Sequence, residues 1–165
     1  MKKILLILFL LLGLVACKKE ANIQKEVPYQ HYSDMKQLIL ENDKYTNKSS
    51  YMNINAEIAK TAEGSYRYYI FIDNPKVAMY DVKAMALVSK QDYTNLMAAN
   101  FGIFDDIKYN LVPNQILIEK GYLKGFVMSG ITENANVKLK LLIQWQNEEH
   151  SDVFQEFVEL NLYYR

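Results

Sequence analysis

The chain has 165 residues, with 19 lysines and arginines against 19 aspartates and glutamates, 50% apolar residues and a single cysteine. Balanced charge removes the electrostatic case for a nucleic-acid binder, because neutralising phosphates takes an excess of basic side chains. One cysteine excludes an intramolecular disulfide framework and any multi-cysteine zinc site, and two histidines leave little room for His-based metal or proton chemistry. The apolar content suits a chain that folds around its own core, and the length suits one domain.

Lys2 and Lys3 form a short basic segment, and the run from Ile4 to Leu14 is almost entirely apolar. That run is too short for a membrane-spanning helix, which takes about 20 residues. It matches the apolar region of a signal peptide instead. The residues that follow, Leu14-Val15-Ala16-Cys17, resemble the lipobox of bacterial lipoproteins, which signal peptidase II reads once the cysteine has been diacylated. The resemblance covers residues 1–17. It implies cleavage between Ala16 and Cys17, lipid on Cys17, and a protein held on the extracytoplasmic side of a bacterial cell membrane. Two or three acyl chains give the stable anchor that a single chain does not. Loss of Lys2 and Lys3 leaves the remainder slightly acidic, so no polybasic patch assists and the lipid does the holding. No cysteine follows Cys17, so the body is stabilised by packing rather than by disulfides.

Residues 18–30 are polar, contain Pro28 and show no sustained periodicity. They read as a tether, spanning roughly 20 Å root-mean-square if flexible. Residues 33–45 carry the best helix signal. Ser33 can cap, Asp34 suits the positive helix start, and Met35, Leu38 and Ile39 share a face. So short a stripe depends on docking, and a helix covering a sheet edge is the expectation.

From Tyr51 the period becomes two, with Met52, Ile54, Ala56 and Ile58 on one face. Residues 66–73 form a β-branched and aromatic run, and Asn74-Pro75 breaks it. In residues 79–89, Tyr80, Val82, Ala84, Ala86 and Val88 alternate with Asp81 and Lys83. Residues 90–112 are the least regular, with a short helix expected over 91–99 and a turn over 102–106. Strands are expected over 115–119 and 122–129. The clearest strand spans 137–145, with Val137, Leu139, Leu141, Ile143 and Trp145 inward. Residues 154–164 close the chain, with Phe154, Val158, Leu160 and Leu162 on one side.

Seven or eight strands without long helical crossovers predict antiparallel pairing. The fold class is therefore mainly β. An antiparallel, immunoglobulin-like β-sandwich with one short N-terminal helix is the expected architecture, over a single domain at residues 31–165. A barrel is the rival. The immunoglobulin cysteine pair is missing, and Trp145 comes late in the chain. In general character the chain also resembles small bacterial lipoproteins that carry a sandwich domain.

Catalytic patterns are wanting. The scattered glycines form neither G-x-G-x-x-G nor G-x-x-x-x-G-K, and Ser129-Gly130 lacks the surround of a nucleophile elbow. His150, Ser151 and Asp152 are adjacent in one loop and cannot converge as a triad. Glu148 to Asp152 lacks zinc-ligand or EF-hand spacing. Asp105-Asp106, or Asp73 with Asp105, would serve a hydrolase only if they met in one cleft. No enzyme, metal or cofactor is expected. The thirteen tyrosines are the one compositional excess with functional weight. Tyrosine favours strands, but it also suits interfaces, because its ring buries area while its hydroxyl stays wet. Tyr66, Tyr68, Tyr69, Tyr80 and Tyr122 are thus the candidate contact surface. The leading expectation is a non-catalytic, membrane-anchored module that binds a protein partner by a strand edge or a tyrosine-bearing sheet face. The alternative is a receptor for a small ligand or glycan, with residues 90–112 walling a pocket.

Overall fold

The computed structural model describes residues 20–165, and side chains from residue 27 onward. Ala16, Cys17 and the rest of the lipobox-like run lie outside the described residues. In chain order the elements are α1 (Glu20–Glu41), β1 (Asn53–Lys60), β2 (Tyr66–Asp73), β3 (Tyr80–Val88), β4 (Ala99–Phe101), a 3-10 turn (Ile118–Lys120), β5 (Gly125–Thr132), β6 (Asn136–Gln146) and β7 (Val153–Tyr163). The strands pair antiparallel in two sheets, ordered β1-β2-β5 and β4-β3-β6-β7.

Period-two alternation explains how the sheets meet. Val82, Ala84, Ala86 and Val88 on β3 share one core with Leu139, Leu141, Ile143 and Trp145 on β6 and Val158 and Leu162 on β7. Tyr68, Ile70 and Ile72 on β2 and Phe126 and Met128 on β5 enter it from the other sheet, with Ile54, Ala56 and Ile58 of β1 at its margin. The Phe101 ring of β4 stacks on Phe126 of β5 at 3.8 Å, joining the sheets along one edge. Near the opposite edge Thr46 bridges β7, donating its amide to the Phe157 carbonyl at 3.0 Å and accepting from the Glu159 amide at 2.8 Å. Part of an otherwise open strand edge is closed in this way.

The outer face of the four-stranded sheet is covered by α1. Met35 and Ile39, one helical turn apart, pack with Met85 and Leu87 of β3, Leu142 of β6, and Ala98 and Ile103. Strands β3 and β6 are therefore apolar on both faces along their middles. The helix lies across the sheet face, not along an edge as expected. The Tyr32 hydroxyl accepts the Ala98 amide at 2.7 Å near the β4 side, and the Tyr45 ring meets Phe157 of β7 edge-on at 5.9 Å.

Three local expectations are corrected. The helix starts at Glu20 rather than Ser33 and ends at Glu41, so it runs through the segment read as a tether. Residues 20–30 are rich in straight-chain helix formers but carry no apolar stripe, and periodicity alone overlooks such a helix. Pro28 lies inside it without a backbone N–H to donate. Residues 91–99 form no helix, because the Asp92 carboxylate accepts the Thr94 amide at 2.8 Å and hydroxyl at 2.6 Å, holding a local turn. Residues 115–119 form no strand; they lie in a tight turn in which Leu117 and Tyr122 exchange backbone hydrogen bonds of 3.0 and 3.1 Å.

Candidate functional site

The five singled-out tyrosines do not gather on one surface. Tyr68 is 1% exposed and belongs to the core, so it offers no contact. Its ring leans over Gly130, its register partner on β5. Burial holds its hydroxyl well above the ordinary tyrosine range, reinforced by the neighbouring Tyr93 hydroxyl. Tyr66 packs against Tyr164 at 5.3 Å. Tyr80 meets the His150 ring at 6.0 Å; desolvation raises its pKa, and Glu148, Tyr122 and Glu149 push the same way. Tyr80 and Tyr122 thus come together near one end of the two-sheet body. Tyr69 faces outward elsewhere.

The outer face of the β1-β2-β5 sheet is the first candidate surface. Since Tyr68, Ile70 and Ile72 point into the core, Arg67, Tyr69 and Phe71 project from the other side of β2. The register sets Phe71 between Asn55 and Val127, Tyr69 between Glu57 and Ser129, and Arg67 between Ala59 and Ile131. Such cross-strand neighbours touch. The Tyr69 and Phe71 rings stack at 6.4 Å, and Val127 and Ile131 are 52% and 40% exposed beside them. Among the described residues no element packs over this face. Phe71, Val127 and Ile131 escape the sequence reading. The signal for Phe71 is the run of residues 68–72, apolar or aromatic at both parities, which marks a strand with such side chains on both faces.

The second candidate is a cleft of about 580 Å³ at the end where β2 finishes and β5 begins. Its polar lining is Asn53, Asp73, Asn74, Asn114, Gln115 and Lys124, with Pro75, Pro113 and Ile116 among the apolar wall. The β4–β5 connection builds most of it. Asp81, at φ 47°, takes the Asn110 side-chain oxygen on its amide at 3.1 Å, and its carboxylate pairs with Lys83 at 3.1 Å and Lys108 at 3.8 Å. Met79 and Leu111 exchange backbone hydrogen bonds of 2.9 and 2.8 Å. The connection next turns at Pro113-Asn114, where the Gln115 amide reaches the Val112 carbonyl at 3.1 Å and Asn114 has φ 62°. Proline followed by a left-handed asparagine is the arrangement a type II turn needs. Of residues 90–112, the expected pocket wall, Val112 is the one that lines this cleft.

The remaining chemical candidates do not assemble. Asp73 lines the cleft, and Asp105 does not. The 147–152 loop satisfies itself: Asn147 donates to Ser151 and Asp152 and accepts both their amides, and His150 pairs with Gln146 at 2.7 Å. Among the described residues no three His, Cys, Asp or Glu side chains come together to hold a metal, and no helix is long and apolar enough to cross a membrane. Comparison with protein-family models, with curated proteins and with solved structures finds no match. The reading of both surfaces therefore rests on their geometry.

Proposed function

We propose that the chain is a bacterial lipoprotein, anchored through Cys17 on the extracytoplasmic side of the cell membrane, that acts as a non-catalytic protein-binding module. The observation that carries the binding role is the uncovered outer face bearing Tyr69, Phe71, Val127 and Ile131, while the matching face of the other sheet is covered by α1. Aromatic side chains flanked by aliphatic ones, with Arg67 and Glu57 beside them, have the make-up of an interface core with a polar rim. The partner is another exported protein with an apolar patch of its own. Accessory roles in envelope or secretion assembly, and neutralisation of an exported toxin as an immunity protein, both fit that reading.

The order of the strands supports an immunoglobulin-like description of the domain. Strands β1-β2-β5 stand where A, B and E do in such sandwiches, and β3-β6-β7 where C, F and G do. The lipobox supports the anchor, and two residues, Lys18 and Lys19, separate Cys17 from the start of α1 at Glu20.

In-cell crosslinking of the full-length chain, followed by mass spectrometry of the captured species, tests this function. One dominant exported protein is expected, captured by the wild type and lost in a Tyr69→Ala/Phe71→Ala double variant. Capture of no protein, or undiminished capture by the double variant, would rule out the sheet face as the binding surface.

A further inference from the structure

We infer that the cleft at the β2–β5 end binds a neutral saccharide through the side-chain amides of Asn53, Asn74, Asn114 and Gln115. The cleft's volume of about 580 Å³ falls inside the roughly 300–1,000 Å³ typical of small-ligand sites. That leaves room for more than one sugar ring.

The chemistry of the lining selects the ligand class. Each amide offers both donors and an acceptor, and each sugar hydroxyl both donates and accepts, so neighbouring hydroxyls pair with the amides in either sense and donate to the Asp73 carboxylate. Asp73 and Lys124 contribute one charge of each sign, so the site has no net charge with which to favour a phosphate or a uronate. Pro75, Pro113 and the 60% exposed Ile116 provide an apolar surface for the C–H face of a pyranose ring.

The amides are also placed in advance. Asn74 precedes Pro75 at φ 50°, and Asn114 follows Pro113 at φ 62°, so each is carried by a proline-stiffened turn. Asn53 is fixed by its pairing with Asp73 across β1 and β2. The Asp73 carboxylate and the Lys124 ammonium line the same cleft. Preplaced groups lose little freedom when a ligand replaces their water. This inference stands independently of the sheet face and of the anchor.

The test is isothermal titration of the full-length chain in a zwitterionic detergent that contains no sugar. The probes are neutral tri- and tetrasaccharides of glucose, mannose, galactose and N-acetylglucosamine, compared with a uronic-acid oligosaccharide and inorganic phosphate. At least one neutral probe is expected to bind saturably, and Asn114→Gly or Asn74→Gly to weaken it about tenfold each, the effect of losing one or two hydrogen bonds. Glycine is chosen because it keeps the positive φ while removing the amide. Asn53→Ala, in a regular strand, gives the same readout without touching a turn. Binding of no neutral probe, preference for the anionic ones, or affinity unchanged in all three variants would overturn the inference.

Discussion

Tyr68 and Gly130 are matched by register, and the match is steric. A β-carbon built on Gly130 would run into the Tyr68 hydroxyl and ring, so the missing side chain on β5 makes the space that the tyrosine on β2 fills. Gly130→Ala should destabilise the domain by about 1–3 kcal/mol, the usual cost of overpacking a core, as read by chemical denaturation. Tyr68→Phe/Gly130→Ala should recover part of that loss, because the hydroxyl is the nearest atom to the added methyl group. Around the Tyr68 hydroxyl lie those of Tyr93, which accepts the Val88 amide at 2.7 Å, and Tyr32, which accepts the Ala98 amide at 2.7 Å. Burial raises the pKa of Tyr68 and Tyr93 above the ordinary value of 10.0, so the folded state favours their neutral forms. The stability they contribute is fully present below about pH 10 and is lost as pH rises beyond it. Alkaline titration should therefore show these tyrosines ionising together with unfolding, and Tyr93→Phe should shift that transition. The burial of Tyr68 was not legible in its sequence run, because 68–72 is apolar or aromatic at both parities and only the partner sheet decides which side is the core.

At the scale of elements, α1 depends on what it lies against. Among its described side chains Met35 and Ile39 are the fully buried ones, and isolated helices gain little from so narrow a stripe. Ile39→Ala should cost about 2–5 kcal/mol, as for other buried aliphatic truncations, measured by thermal or urea unfolding. Leu38→Ala, at a position 36% exposed on the same helix, should cost much less. The spacing of Met35, Leu38 and Ile39 was enough to find this helix but not its ends. A helix that is polar along its first half has no stripe to read, and α1 extends far ahead of Ser33 for that reason. Strands β1, β3, β6 and β7 were readable because alternation survives wherever one face meets a core, and β2 by its β-branched and aromatic composition. The 115–119 turn was not: its alternating Ile116 and Ile118 imitate a strand, yet both side chains are exposed.

For the whole molecule, the two outer sheet faces differ, and that asymmetry sets the proposed function. One outer face is dressed by α1, and the other shows Tyr69 and Phe71 to its surroundings. The Tyr69→Ala/Phe71→Ala variant should lose partner capture while changing stability by no more than about 2 kcal/mol, since strand propensities span roughly 1 kcal/mol per substitution. Denaturation of the purified variant beside the crosslinking experiment separates the two effects. Cys17→Ala should shift the protein from the membrane fraction to a lipid-free form, visible as the loss of acyl mass from the N-terminal peptide. Retention of the protein in the membrane fraction by this variant would rule out the lipid as its anchor.

Local chemistry in the sequence determined the mainly β class, the antiparallel pairing, and the inward faces of β3 and β6. Each of these is a short-range pattern: a period of two, a turn residue, or a few contiguous positions. The tertiary structure alone decided which face of each two-sided strand became core. It also decided that the helix lay on a sheet face, and that Asn53, Asn74 and Asn114 met across one cleft. Those outcomes depend on strand order and on contacts between residues far apart in the chain, and no local period encodes them.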